Sequence, residues 1–107
     1  MFVAAQAPVA PVYLECIVDR PTRKYPFKVT IDEQNQFVTF EDSGSNFVYR
    51  LPATFSASTV SFVYERYGNG PAYQISRVDL SVKETFSATG QSSPGKCAME
   101  KVLKRAF

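Results

Sequence analysis

The sequence predicts a mainly β fold: a single antiparallel β-barrel or meander of about six strands with a short C-terminal helix. Three observations predict it. Apolar and polar residues alternate with a period of two over most of the stretch from Val12 to Val82. Turn signals rich in Gly, Pro, Asn and Asp break that alternation at spacings of about ten residues. The closing residues then switch to helical spacing.

The chain of 107 residues suffices for one domain and can bury a core without obligatory staples. Residues 1–11 read as a flexible Ala/Pro-rich tail and 12–107 as the domain. Ala5-Gln6-Ala7 has the small-x-small form of a signal cleavage site, but no basic region precedes it and the apolar run is short. "VYLECIV" (12–18) is the first strand, with Leu14, Cys16 and Val18 on one face. "FKVTI" (27–31) follows a polar, proline-punctuated turn, and "FVTFE" (37–41) follows "DEQNQ". "FVYRL" (47–51) comes after "DSGSN" and is expected to end at Pro52, which lacks an amide donor. "STVSFVYERY" (58–67) and "AYQISRVDLSV" (72–82) form a hairpin about Gly68-Asn69-Gly70. A polar loop, 83–95, leads to a helix over about 94–106, capped by Ser93 and Pro94. Met99, Val102, Leu103 and Ala106 would share its inner face. The rival reading of this segment is a strand with Cys97 and Met99 inward.

Function is read mainly by exclusion. The chain has no histidine, which removes Ser-His-Asp and Cys-His catalysis and every zinc site with a His ligand. Net charge is +2, so no global field points to nucleic acid or membrane, and no apolar run is long enough for a spanning helix. Ser93 and Lys96 match a Ser-x-x-Lys pair, but its companion motifs are missing. Asp32, Glu33, Glu41 and Asp42 sit in two successive turns without EF-hand spacing. Gly68-Asn69-Gly70 has no phosphate-loop lysine after it. Arg77 and Asp79, two apart on the sixth strand, are placed to pair. No cofactor is implied.

Cys16 and Cys97 are candidates for a disulfide; the alternative is two reduced, buried thiols. The cytoplasm is the favoured location, with the periplasm or exterior expected if Cys16 and Cys97 are bridged. Two basic zones lie near the chain ends: Arg20, Arg23 and Lys24 beside Tyr25, and Lys101, Lys104 and Arg105. Contact between Cys16 and Cys97 would bring the ends together and merge these zones into one candidate binding surface.

Two resemblances rest on these residues. Cysteine on the first strand, "YQISRVDLSV" with its Ile-x-Arg core and the late Gly95-x-Cys97 resemble a diffuse group of small bacterial and phage β-domain proteins, which brings no established activity with it. "YLEC", "FKV", "YRLPATFSAS" and the late cysteine are similar to periplasmic C-type lysozyme inhibitors. That similarity implies a small barrel closed by a disulfide, with Ser56 and Ser58 near the inhibitory loop. Thr59-Val60 stand where that family has Gly and Tyr. The expectation is a non-catalytic protein-binding domain, such as an inhibitor encoded by a bacterium or phage. Its competitors are a single-stranded nucleic-acid-binding barrel, a secreted lysozyme-inhibitor-like protein, and an enzyme working with carboxylates or tyrosine alone.

Overall fold

The computed structural model describes residues 10–44, 47–64 and 70–100. Those residues form a closed antiparallel barrel of eight strands, each hydrogen-bonded to its neighbours in sequence and the last to the first. The strands are β1 (Val12–Asp19), β2 (Lys24–Asp32), β3 (Phe37–Asp42), β4 (Phe47–Phe55), β5 (Thr59–Val63), β6 (Pro71–Ser76), β7 (Ser81–Phe86) and β8 (Ser92–Met99). The mainly β, antiparallel expectation holds; the number of strands and the closing helix are corrected. Among the described residues no helix is long and apolar enough to cross a membrane.

The alternation fixes which residues enter the barrel. Leu14, Cys16 and Val18 of β1, Phe27, Val29 and Ile31 of β2, and Val38 and Phe40 of β3 are all buried. Val60 and Phe62, Tyr73 and Ile75, and Val82 continue the same layer around β5 to β7. An eight-stranded barrel is just wide enough for side chains to fill it. Aromatic rings do most of the filling here: Phe27, Phe40, Phe62 and Tyr73 pack with centroids 5.0–6.2 Å apart.

The segment expected as one strand over 72–82 is a hairpin. Ser76 Oγ accepts hydrogen bonds from the amides of Val78 and Asp79, and Asp79 Oδ1 accepts one from the Ser81 amide. These local bonds reverse the chain. Leu80 completes the turn at φ 62°. The reversal makes β7, which the sequence reading placed largely in a loop.

The helix expected over about 94–106 is β8 across residues 94–99. Residues 101–106 lie outside the described residues. A strand wins because β1 needs a second partner: β8 pairs with β1 from Leu14↔Met99 to Val18↔Gly95, and with β7 from Ser81↔Lys96 to Thr85↔Ser92. Barrel closure removes the unpaired edges that a helix here would leave. Gly95 is fitted to this place. A Cβ on it would lie 2.4 Å from the Ile17 carbonyl oxygen and 2.8 Å from Val18 Cα. Both are backbone atoms that cannot step aside. Gly95→Ala is expected to cost at least about 1–3 kcal/mol, read as a lower denaturation midpoint.

Strand prolines obey the same logic. Pro26, Pro52, Pro71 and Pro94 each have a cross-strand partner on one side only. A residue without an N–H is tolerated where one ladder does not need it. Pro52 therefore does not end β4. The strand pairs with β3 as far as Pro52 and then, from Ala53 to Phe55, with β5.

Candidate functional site

The meander sends alternate loops to opposite ends. Residues 33–36, 56–58 and 77–80 meet at the end where β1 begins and β8 finishes. Residues 20–23, 43–44 and 87–91 meet at the other. Each end carries one polar cluster.

At the far end the cluster is buried. Glu84 follows Val82 on the inward face of β7 and is fully buried. Arg20 continues the inward parity of Leu14, Cys16 and Val18 just past β1. Its Nε and Nη2 donate to the two Glu84 carboxylate oxygens at 2.9 and 2.8 Å. The Tyr73 hydroxyl donates to Glu84 Oε2 at 2.6 Å. The Arg20 guanidinium also lies 4.0 Å from the Tyr25 ring centroid and 5.5 Å from that of Phe86. Among the described residues no buried side-chain polar atom lacks a partner. The bidentate fork satisfies a carboxylate that would otherwise be very costly to bury. The hydrogen bond to Glu84 raises the Arg20 pKa further above its already high ordinary value.

Tyr73 and Tyr25 are held protonated. Burial, then the hydrogen bond to Glu84, pushes the Tyr73 phenol far above its ordinary range. Burial, then the negative charge of Asp42, does the same to Tyr25. Both folded-state values are raised, so their contribution to stability is full below the unfolded tyrosine pKa of about 10 and is lost as pH rises beyond it. Unfolding free energy is expected to fall above about pH 10, with phenolate absorbance from these two rings appearing only as the barrel unfolds. A smooth titration of every tyrosine near pH 10 in a folded barrel would contradict this.

At the near end the cluster is exposed and ties three loops together. Arg77 Nη1 and Nη2 donate to the Glu33 carboxylate at 3.0 and 2.7 Å, and Nη1 also donates to the Ser56 carbonyl at 3.0 Å. The Arg77 amide donates to the Ser58 carbonyl at 2.8 Å. Ser56 Oγ accepts from the Thr59 and Ser58 amides and so shapes its own loop. Arg77 holds the Glu33 carboxyl below its usual range. The Ser81 amide holds Asp79 down to about 2. Arg77 and Asp79 thus do not pair with each other. Between them Val78 stands 83 % exposed.

The other sequence-selected residues are placed as follows. Cys16 and Cys97 face each other across β1 and β8 with their sulfurs at disulfide distance, 2.02 Å. Their Cα atoms are 4.0 Å apart, and the Cys97 amide donates to the carbonyl of Leu80, the residue just before β7. This is the non-hydrogen-bonded kind of cross-strand pair, in which side chains come closest. Arg20 turns inward and Tyr25 is half-buried beneath it, while Arg23 and Lys24 are exposed. Lys101, Lys104 and Arg105 lie outside the described residues. The chain reaches Glu100 beside Tyr13, whose carbonyl accepts the Glu100 amide. That is the opposite end of β1 from Arg20–Lys24. Ser93 is buried and Lys96 exposed, because positions three apart on a strand face opposite ways. Asp32 bonds the Asn35 amide and Asp42 the Gly44 amide, at opposite ends of β3. Among the described residues no three of Cys, Asp and Glu come together as metal ligands would. Gly68 and Asn69 lie outside the described residues, though β5 and β6 pair as a hairpin would require.

The sequence reading missed the Arg20–Glu84–Tyr73 network. Strand parity carries the signal for it, since Arg20 and Glu84 both fall at the inward positions of otherwise apolar series. No family model, no curated protein and no solved structure matches the chain.

Proposed function

We propose that this chain is a non-catalytic binding protein that docks another protein through its near-end loops. One observation carries the reading. Arg77 ties the 33–36, 56–58 and 77–80 loops into one rigid set, and that set presents the apolar side chain of Val78 to solvent. A pre-organised loop surface loses little entropy on docking, and an exposed apolar tip with a polar rim is the usual anatomy of a contact centre. The cross-strand pairing of Cys16 with Cys97 is compatible with an oxidising compartment, periplasmic or extracellular. The test is affinity capture from the native host with the wild type and with Val78→Glu. A protein retained by the first and lost by the second, at equal stability of the two baits, supports the reading. No protein retained by the wild type removes it.

A second, narrower reading is a C-type lysozyme inhibitor. The resemblance implies a barrel-closing disulfide and an inhibitory loop about Ser56 and Ser58. Here β1 and β8 meet at Cys16 and Cys97, and both serines lie in the loop that Arg77 anchors. Adding the protein to a C-type lysozyme in a cell-wall lysis assay tests it directly. Unchanged lysis at a large molar excess rejects it.

A further inference from the structure

The outer wall of the barrel divides sharply by charge. Strands β1 to β3 carry four outward-facing carboxylates, Glu15, Asp19, Asp32 and Glu41, against Lys24 and Lys28. Strands β4 to β8 carry one carboxylate, Glu84, which is buried inside, and three cations, Arg50, Lys83 and Lys96. The outward-facing positions of β4 to β8 are therefore free of negative charge.

That wall also has a shape. Thr54, Ser61, Gln74, Lys83 and Pro94 pair successively across five strands, so they form one continuous row of outward positions. At the normal spacing between strands the row runs about 19 Å, the reach of an extended peptide of about six residues. A groove of about 600 Å³ lies along one stretch of the row and one of about 460 Å³ along the other. Gln74 and Lys83, which face each other across β6 and β7, line both. Among the described residues no ion pair engages Lys83, whereas Lys28 on the acidic wall is paired with both Glu15 and Glu100.

We infer that this row is a docking groove for an extended, acidic segment of a partner protein, with Lys83 meeting a carboxylate and the flanking hydroxyl and amide groups meeting its backbone. Charge complementarity decides the class of occupant. A carboxylate-bearing segment meets cations here and no repulsion. Single-stranded nucleic acid would want exposed rings to stack on, and the aromatic residues beneath the groove, Phe62 and Tyr73, are buried. The groove lies on the barrel wall, separate from the near-end loops, so the two proposals stand or fall independently.

The test is a titration of the ¹⁵N-labelled protein with a synthetic Glu/Ser hexapeptide at low salt, repeated with an oligo-dT strand. The expected result is peptide-induced amide shifts at Ser61, Gln74 and Lys83, with affinity reduced about tenfold or more by Lys83→Glu and little changed by Lys24→Glu on the acidic wall. Three outcomes would overturn the inference. They are the absence of peptide shifts along the row, equal loss from both variants, and row shifts caused by oligo-dT rather than by peptide. Self-association abolished by Lys83→Glu would also overturn it, by making a second copy of the chain the occupant. None of these outcomes touches the Val78 capture experiment, which reads the other surface.

Discussion

Replacing Glu84 by alanine is expected to destabilise the barrel by about 3–5 kcal/mol, because it strands a largely buried guanidinium. The Arg20 side chain is 23 % exposed and the Glu84 side chain 0 %, so the carboxylate has no route to water while the pair is intact. Its removal leaves Arg20 facing the Tyr25 and Phe86 rings with both donors unmet, and leaves the Tyr73 hydroxyl without its acceptor. Double-mutant analysis separates this from simple loss of packing. Arg20→Ala combined with Glu84→Ala should cost clearly less than the sum of the two, by about 1–3 kcal/mol, because the second change removes a group the first has already orphaned. A change of both to apolar residues of like volume, Arg20→Met with Glu84→Leu, should recover most of the loss. The measurement is equilibrium unfolding in urea. A Glu84→Ala protein as stable as the wild type would show that the network contributes nothing.

Opening the link between Cys16 and Cys97 is expected to be as damaging. The two are 81 residues apart in sequence. Closing a loop of that size restricts the unfolded chain by about 4.5 kcal/mol in chain-entropy terms, which for a domain of this size corresponds to a fall in Tm of roughly 20 °C or more. Both cysteines are buried among apolar neighbours, so Cys16→Ala with Cys97→Ala is the cleaner variant; serine would add an unmet hydroxyl. Domains are stable by only about 5–15 kcal/mol, so the doubly substituted protein should sit near its unfolding threshold at body temperature. Equal Tm values for the oxidised and reduced proteins would contradict this.

The first five strands are legible because each turns one face to the core, buried in β1, β2, β3 and β5 and half-buried in β4, and a slip of one residue would turn every inner side chain outward. Val29 and Ile31, or Val38 and Phe40, announce their side by their neighbours. The turn at Arg77–Leu80 hides for the opposite reason. "SRVDLSV" continues the alternation, and the reversal depends on hydrogen bonds accepted by the Ser76 and Asp79 side chains and on a positive φ at Leu80, a residue type that gives no warning of one. The last strand hides because the argument for it is not local. Met99, Val102, Leu103 and Ala106 carry a helical period, but β1 has a free edge that only another strand can fill. The candidate sites divide in the same way. Cysteine pairing is readable from two residues. A buried ion pair between Arg20 and Glu84 requires the register of a barrel whose strand count was still uncounted. The groove through Lys83 needs five registers at once, so no single stretch of sequence contains it.

The closure of the barrel by β8 underlies the placement of both polar clusters and of the groove. Nuclear Overhauser contacts between backbone Hα protons of β1 and β8 test it most directly. Strong cross-strand contacts are predicted from Cys16 to Cys97 and from Leu14 to Met99, with the Ser81–Lys96 contact on the other side of β8. A helical pattern of sequential amide contacts through 94–99, with no β1–β8 contacts, would contradict it.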